Sequence, residues 1–192
     1  MRSLDMGTLG DGVDLFLTWH LLLLAWLATP CGQDTAAYRG RYSEPTLRYA
    51  IVVPTGYVGC SPRVGSTSDG VNVTLASQPR ASMWAVASPN DLAYPTLDAA
   101  LATHLEDIEG GTQPLSHKLT NALLGGKPAR RLIVRWPAVG LSPARVEEYV
   151  VTFRSVRSGQ VLYTLGLSVP DTDHARWAPV FAEFVATWEE LP

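Results

Sequence analysis

The chain has little positive charge with which it could bind a polyanion. Its 192 residues include 15 cations and 18 acids, a formal net charge of −3 at pH 7, and only two of the cations are lysines. Because no basic excess is available to neutralise phosphates, the composition predicts no nucleic-acid partner. The preference for arginine, with plentiful alanine, glycine and proline, is typical of a GC-rich bacterial genome.

A long apolar run is lacking as well. The stretch 15–28 is apolar over about 14 residues, whereas a membrane-spanning helix needs about 20. A run of this length that ends in small residues and a proline is typical of the hydrophobic region of a secretory signal. Although only Arg2 supplies the positive charge that such a signal carries before its apolar region, the length and the end of the run favour export. We therefore expect 1–30 to be a signal peptide or lipoprotein signal, with a helix of a cytoplasmic domain as the alternative.

Cysteine is scarce, and its two residues raise one question about processing. Cys31 directly follows the apolar run, and Cys60 is the other cysteine. The stretch 27–31 resembles the lipobox of bacterial lipoproteins, which implies lipidation of Cys31. The alternatives are cleavage after 35–37, which would remove Cys31, and a disulfide between Cys31 and Cys60 in an oxidising compartment. The three outcomes exclude one another, and lipidation is the leading interpretation.

The remaining chain has the composition of an ordinary globular domain. Apolar residues make up 46% of the sequence and charged residues 17%. The small and polar stretch 31–45 predicts a flexible tether. Residues 46–192 are numerous enough for one domain with its own core, so no second domain is expected.

The first half of this domain predicts strands and one helix. Residues 49–57 are rich in β-formers and end in Pro-Thr-Gly, and 71–75 alternate apolar and polar residues. With a third strand at 82–87 they suggest an N-terminal meander. A helix is predicted over 97–109, capped by Thr96.

The second half predicts three more strands and a final helix. Residues 130–136, 149–153 and 161–169 alternate, and the last two form an antiparallel pair around a hairpin at 157–160. Pro179 limits where the last helix can begin. We expect the fold class α+β, an antiparallel sheet meander flanked by helices, with an aromatic C-terminal helix packed across the sheet. Its apolar stripe comprises Trp177, Phe181, Phe184, Val185, Trp188 and Leu191.

Three short stretches carry a family resemblance. They are the opening strand and turn at 47–57, the turn Leu124-Gly125-Gly126-Lys127-Pro128-Ala129, and the strand 161–165. In this order the elements of residues 38–191 resemble the Mog1/PsbP-like family, which includes exported bacterial lipoproteins of the DcrB kind. The resemblance implies an antiparallel sheet flanked by helices that acts as a binding or accessory module without an active site. No functional residue carries over.

Catalytic and metal-binding patterns are weak. Cys60 with His104 or His117 would suit a nucleophile and its base, but the sequence around Cys60 has no matching motif, which favours a structural cysteine. Residues 171–174, Asp-Thr-Asp-His, offer metal ligands, yet their place before the last helix favours a capping role. We therefore expect no cofactor and no enzymatic activity.

Charged side chains give one candidate interface. A local excess of cations predicts a solvated face, with an acidic partner surface or anionic lipid head groups as the alternative. The adjacent acids Glu147 and Glu148 are expected on different faces or in solvent, and we interpret them as surface residues. The candidate partner-binding cations are Lys127, Arg130, Arg131 and Arg135.

Taken together, these patterns predict an exported, membrane-tethered, non-enzymatic accessory or protein-binding module of the bacterial cell envelope. The partner would be a protein that contacts the sheet face or the arginine-rich strand. A secreted form without an anchor is the alternative location. The alternative function is a small-molecule or metal-binding protein, or a hydrolase, that uses His104, His117 or the segment 171–174.

Overall fold

A computed structural model of the chain describes most of the residues after the predicted signal. The predicted signal 1–30 lies outside the described residues, and so does the side chain of His104. Residues 31–192 belong to one compact unit. Among the described residues, no helix is both long and apolar enough to cross a membrane. The described residues are 31, 35–62, 69–74, 81–91, 93–106, 112–156 and 159–192.

The described part of the chain contains eleven strands and two α-helices. The helices are α1 (Leu97–Glu106) and α2 (His174–Ala186), and a 3₁₀ turn at Asp171–Asp173 precedes α2. The strands are β1 (Thr35–Tyr38), β2 (Gly40–Glu44), β3 (Tyr49–Val53), β4 (Val58–Pro62), β5 (Asp69–Thr74), β6 (Ser82–Pro89), β7 (Ser116–Leu124), β8 (Lys127–Trp136), β9 (Arg145–Val156), β10 (Gly159–Pro170) and β11 (Glu189–Glu190).

Antiparallel pairing organises these strands into two sheets. The larger sheet has the order β1-β4-β5-β6-β10-β9-β8-β7, and the smaller has the order β11-β3-β2. The longest pairing joins β9 to β10, from Gly159 opposite Val156 to Pro170 opposite Arg145. The predicted antiparallel pair and the α+β class are therefore confirmed.

One face of the large sheet is closed by α2. Alternate residues of β10 are buried there, because successive side chains of a strand point to opposite faces. They pack in one apolar cluster with the aromatic residues of α2. Pro179 lies inside α2 and does not mark its start. Proline has no N–H to donate within the helix, and the carbonyl that loses this donor lies at the exposed beginning of the helix. The buried residues are Val161, Tyr163, Leu165, Leu167 and Val169 of β10 with Trp177, Phe181 and Phe184 of α2. Trp188 is buried in the same cluster, but it and Leu191 follow the end of the helix at Ala186, so the predicted helical stripe is too long.

The opposite face is covered in part by α1. Leu101 of α1 packs in a second apolar cluster with Leu132, Val134, Tyr149 and Val151 of β8 and β9. The helix begins as predicted, because the backbone N–H of Ala99 donates to the hydroxyl of Thr96 at 3.1 Å. Its predicted end near 109 lies outside the described residues. We call this side of the sheet the α1 face, and the side under α2 the α2 face.

Several strands differ from the sequence prediction. The predicted tether 31–45 includes β1 and β2, and Tyr42 of β2 is buried between the partly buried Tyr38 and the core residue Tyr49. Composition alone cannot separate a polar tether from short strands that pair through their backbones. The predicted N-terminal meander is also divided, because β3 belongs to the small sheet while β5 and β6 pair in the large one.

Candidate partner-binding surface

Cys31 and Cys60 are joined in a disulfide, with their Cα atoms 5.5 Å apart. Cys60 lies in β4 opposite Ala37 of β1, so the disulfide links the chain just before β1 to the neighbouring strand. Cys31 is buried. Of the three outcomes considered for Cys31, the structure contains the disulfide. Cys60 in this state has no thiol that could act as a nucleophile.

The four candidate cations of β8 do not form one surface. Arg130 and Arg131 are adjacent in the strand and therefore point to opposite faces of the sheet. On the α1 face, the Nε of Arg130 lies 2.5 Å from Oδ1 of Asp98 in α1. On the α2 face, the Nη2 of Arg131 lies 2.5 Å from Oε2 of Glu148.

The remaining two candidate cations are also paired within the chain. Lys127 forms an ion pair with Glu190, and Arg135 forms one with Asp171. Each of the four cations therefore has an acidic partner within the chain. Their charge is compensated inside the molecule, which leaves little of it to attract an acidic protein surface.

Glu148 is a fully buried carboxylate on the α2 face. Its Oε2 accepts hydrogen bonds from Nε and Nη2 of Arg131 at 3.1 and 2.5 Å, and its Oε1 lies 2.6 Å from Nε2 of His174. Because His174 is the first residue of α2, this contact joins the start of the helix to the centre of the sheet. A buried carboxylate is tolerated when such partners compensate the loss of water.

Glu147 is buried on the α1 face, opposite its neighbour. Its Oε2 accepts hydrogen bonds from Nε1 of Trp136 at 2.9 Å and from the hydroxyl of Tyr149 at 2.8 Å, and its Oε1 pairs with Arg145. The prediction that Glu147 and Glu148 point to different faces is confirmed. The prediction that they are surface residues is wrong, because each has a cation and further donors that compensate its burial.

The segment before α2 binds other side chains rather than capping the helix. Asp171 pairs with Arg135 and His174 with Glu148, while Asp173 makes no side-chain capping hydrogen bond. No group of three or more histidine, cysteine or acidic residues among the described residues could hold a metal ion. His117 is exposed on β7.

A groove of about 470 Å³ opens on the α1 face, beside α1. Its floor consists of side chains from β6 and β10, one wall is α1, and its rim is the end of β6 with the loop that follows. Trp84, Val86, Leu162 and Thr164 belong to the floor, Ala100 and Thr103 to the wall, and Ser88, Pro89, Asn90, Asp91 and Tyr94 to the rim.

The indole of Trp84 packs against two neighbours in the floor of this groove. It lies against Gly166 of β10, where a Cβ atom would come within 2.1 Å of Cε2 and Cζ2 of the indole. Its ring also meets the ring of Tyr149 at 6.0 Å in an edge-on arrangement. Since the hydroxyl of Tyr149 donates to Glu147, the buried carboxylate helps to fix the groove floor.

The rim loop is fixed by the side chain of Asn90. Its Nδ2 donates to the carbonyl of Tyr94 at 3.1 Å and to Oε1 of Gln160 at 2.8 Å, and its Oδ1 accepts from the backbone N–H of Tyr94 at 3.0 Å. Ala93 in this loop has a left-handed φ of 50°. Asp91 is exposed on the rim, and no ion pair joins it to another described residue. The groove thus combines an apolar floor with an acidic rim.

Sequence reasoning missed both Trp84 and Asp91. One signal was available, because Met83, Ala85 and Ala87 form the buried row of β6 and Trp84 falls on the opposite, more polar row. A large aromatic side chain on the more polar face of a strand indicates that this face also has an apolar contact. The register itself could not be assigned from the sequence, since the predicted strand 82–87 had no known partner.

Comparisons with known proteins show the fold. No family model and no curated protein matches the chain. Among solved structures, cyanobacterial PsbP (CyanoP) from Synechocystis is 15% identical over 83% of this chain and 94% of its own, with a TM-score of 0.50. The Saccharomyces cerevisiae Ran-binding protein Mog1p is 13% identical over 81% of this chain and 97% of its own, with a TM-score of 0.51.

A third structure, LpqN of Mycobacterium tuberculosis, described as involved in cell envelope biogenesis, is 13% identical over 84% of this chain and 87% of its own, with a TM-score of 0.45. The resemblance stated from the sequence is confirmed at the level of fold: the chain has the Mog1/PsbP-like fold. At such low identity the likeness says nothing about residues of a site.

We expect Glu148→Gln to destabilise the protein by about 1–3 kcal/mol, because Arg131 and His174 lose a charged acceptor in a buried position. The measurement is the free energy of unfolding in a denaturant titration. Glu189→Gln is the matched control, since Glu189 pairs with Arg41 in solvent and should change stability by about 0.5 kcal/mol or less. Equal effects of the two variants would contradict a structural role for the buried carboxylate.

Proposed function

We propose that this protein is a non-enzymatic accessory module that works outside the cytoplasm and binds a segment of a partner protein in the groove above Trp84. The observation that carries the proposal is the combination, in one open groove, of a packed and partly exposed indole with an exposed carboxylate, Asp91, that no ion pair joins to another described residue. Indole rings that are fixed before binding contribute strongly to interfaces, because little side-chain freedom is lost when the partner arrives.

The chemistry of the groove defines the partner segment. Trp84, Val86 and Leu162 offer an apolar floor, which suits an apolar side chain as the anchor of the partner. Asp91 is the charged group in the lining, so a lysine or arginine next to that anchor would complement it. The segment is therefore a short stretch of chain with an apolar anchor and a neighbouring basic residue.

A protein partner fits this groove better than a small substrate does. The groove is an open depression between α1 and the sheet rather than an enclosed cavity, and its described lining contains a single titratable acid, Asp91, and the phenol Tyr94. Enzyme sites usually bring several titratable groups together in a closed pocket. The arginine-rich strand is not part of this proposal, because its cations already have acidic partners.

The disulfide supports a location outside the cytoplasm. Disulfides persist in oxidising compartments and are rare where thiols are kept reduced. A lipid thioether on Cys31 and the disulfide to Cys60 would need the same sulfur atom, so one molecule cannot have both. The proposal takes the disulfide, with the chain before Cys31 acting as the export signal.

We expect the exported protein to contain an oxidised Cys31–Cys60 pair and no acyl chain. Intact-mass spectrometry before and after reduction, on protein recovered from the envelope and medium of an exporting host, measures both features. Cys60→Ser should lower the free energy of unfolding by about 2–4 kcal/mol, because the unfolded chain regains freedom. An acylated Cys31, or a mature chain that begins after Ala37, would contradict this part of the proposal.

Site-specific cross-linking tests the groove. A photoreactive amino acid at Thr103, in the groove wall, should cross-link a partner in cells, whereas the same group at exposed Arg176 on α2 should not. Asp91→Lys should reduce the cross-linked product at Thr103 at least about tenfold, because it replaces attraction for a basic residue with repulsion. Mass spectrometry then identifies the partner peptide attached at Thr103.

The control for charge is Glu183→Lys, which makes the same change at an exposed position of α2 and should leave the yield at Thr103 unchanged. A cross-linked peptide with an apolar residue beside a lysine or arginine supports the proposal. Products that are equal at Thr103 and Arg176, or a peptide without a basic residue, would overturn it.

A further inference from the structure

One edge of the large sheet is formed by β7, a long strand with exposed backbone groups. β7 extends from Ser116 to Leu124, and among the described strands it pairs with β8 alone, so alternate residues direct their backbone N–H and C=O groups away from the sheet. The other edge is protected, because β1 has four residues and the disulfide lies beside it. Proteins usually shorten, charge or cover an edge that could pair with another strand.

β7 is long and carries exposed leucines. Leu119 is 38% exposed and Leu123 is 67% exposed, and Leu115, directly before the strand, is 68% exposed. These three leucines, which we call the leucine row, are half of the large apolar side chains that are exposed in the described part of the chain. An apolar edge of this length favours a bound strand over free contact with water.

The leucine row is symmetric about its centre. Leu115 and Leu123 each stand four positions from Leu119. If two copies of β7 pair in antiparallel fashion around a twofold axis at Leu119, Leu119 stands opposite itself and Leu115 of one copy stands opposite Leu123 of the other. A self-complementary surface of this kind is what a twofold interface requires.

The same register is acceptable for the polar residues of the strand. It places His117 opposite Asn121 and Lys118 opposite Thr120 of the second copy, so no two cations stand directly opposite each other. Neither charge nor register therefore opposes the pairing of two identical strands.

We propose that two copies of this chain associate through β7, which extends the eight-stranded sheet of each copy into one continuous sheet around a twofold axis at Leu119. The occupant of this edge is a second copy, because the leucine row matches itself and the edge supplies the backbone hydrogen bonds. This interface is separate from the groove above Trp84, so its test does not depend on the proposed function.

Disulfide trapping tests the register. Leu119→Cys should form a covalent dimer under mild oxidation, because directly opposed Cα atoms in antiparallel strands are about 4.5–5.5 Å apart, within the range of disulfides. Asn121→Cys alone should not, because its partner in this register is His117. A mixture of His117→Cys and Asn121→Cys proteins should form the mixed dimer. The two native cysteines are already paired and do not compete.

Sedimentation equilibrium of the purified protein measures the association itself. Leu119→Lys should weaken the dimer by about tenfold or more, since it places two lysines together at the axis. Val52→Lys is the matched control, because Val52 is also 38% exposed but lies on β3 of the small sheet, and it should leave the association unchanged. A protein that stays monomeric at high concentration, or equal trapping by Leu119→Cys and Asn121→Cys, would overturn the proposal.

Discussion

The pairing of β9 with β10 is the constraint on which the other elements depend. Twelve residues of each strand face each other without interruption at the centre of the large sheet. Alternate side chains of both strands point to opposite faces, so both faces need apolar cover. α2 and the small sheet cover one face, while in the described part of the chain α1 covers the portion of the other face over β8 and β9. The uncovered part holds the groove floored by Trp84.

The charged residues follow from the same geometry. Glu147 and Glu148 are consecutive in β9, so one buried carboxylate lies under each layer of cover. Glu148 holds the start of α2 through His174, and Glu147 holds Tyr149, which in turn contacts Trp84. Each carboxylate also has an arginine as its partner. Arginines that suggested an external acidic partner therefore serve internal ion pairs.

Much of the fold could be predicted from the sequence, because strong alternation and a helical aromatic stripe report burial directly. This holds for the inward row of β10 and for the helix capped by Thr96. β7 gave no such signal, since it is exposed on both faces over most of its length. The groove could not be predicted either, because it depends on Gly166 lying beside Trp84, a contact between strands far apart in the chain.

One face of the large sheet is closed while the other is partly open at Trp84. Hydroxyl-radical footprinting, read by mass spectrometry for each tryptophan, measures this difference between the two faces. We expect Trp84 to be oxidised markedly faster than Trp177 and Trp188, which are 2% and 3% exposed under the closed face. Oxidation of Trp84 as slow as that of Trp177 and Trp188 would contradict an open groove.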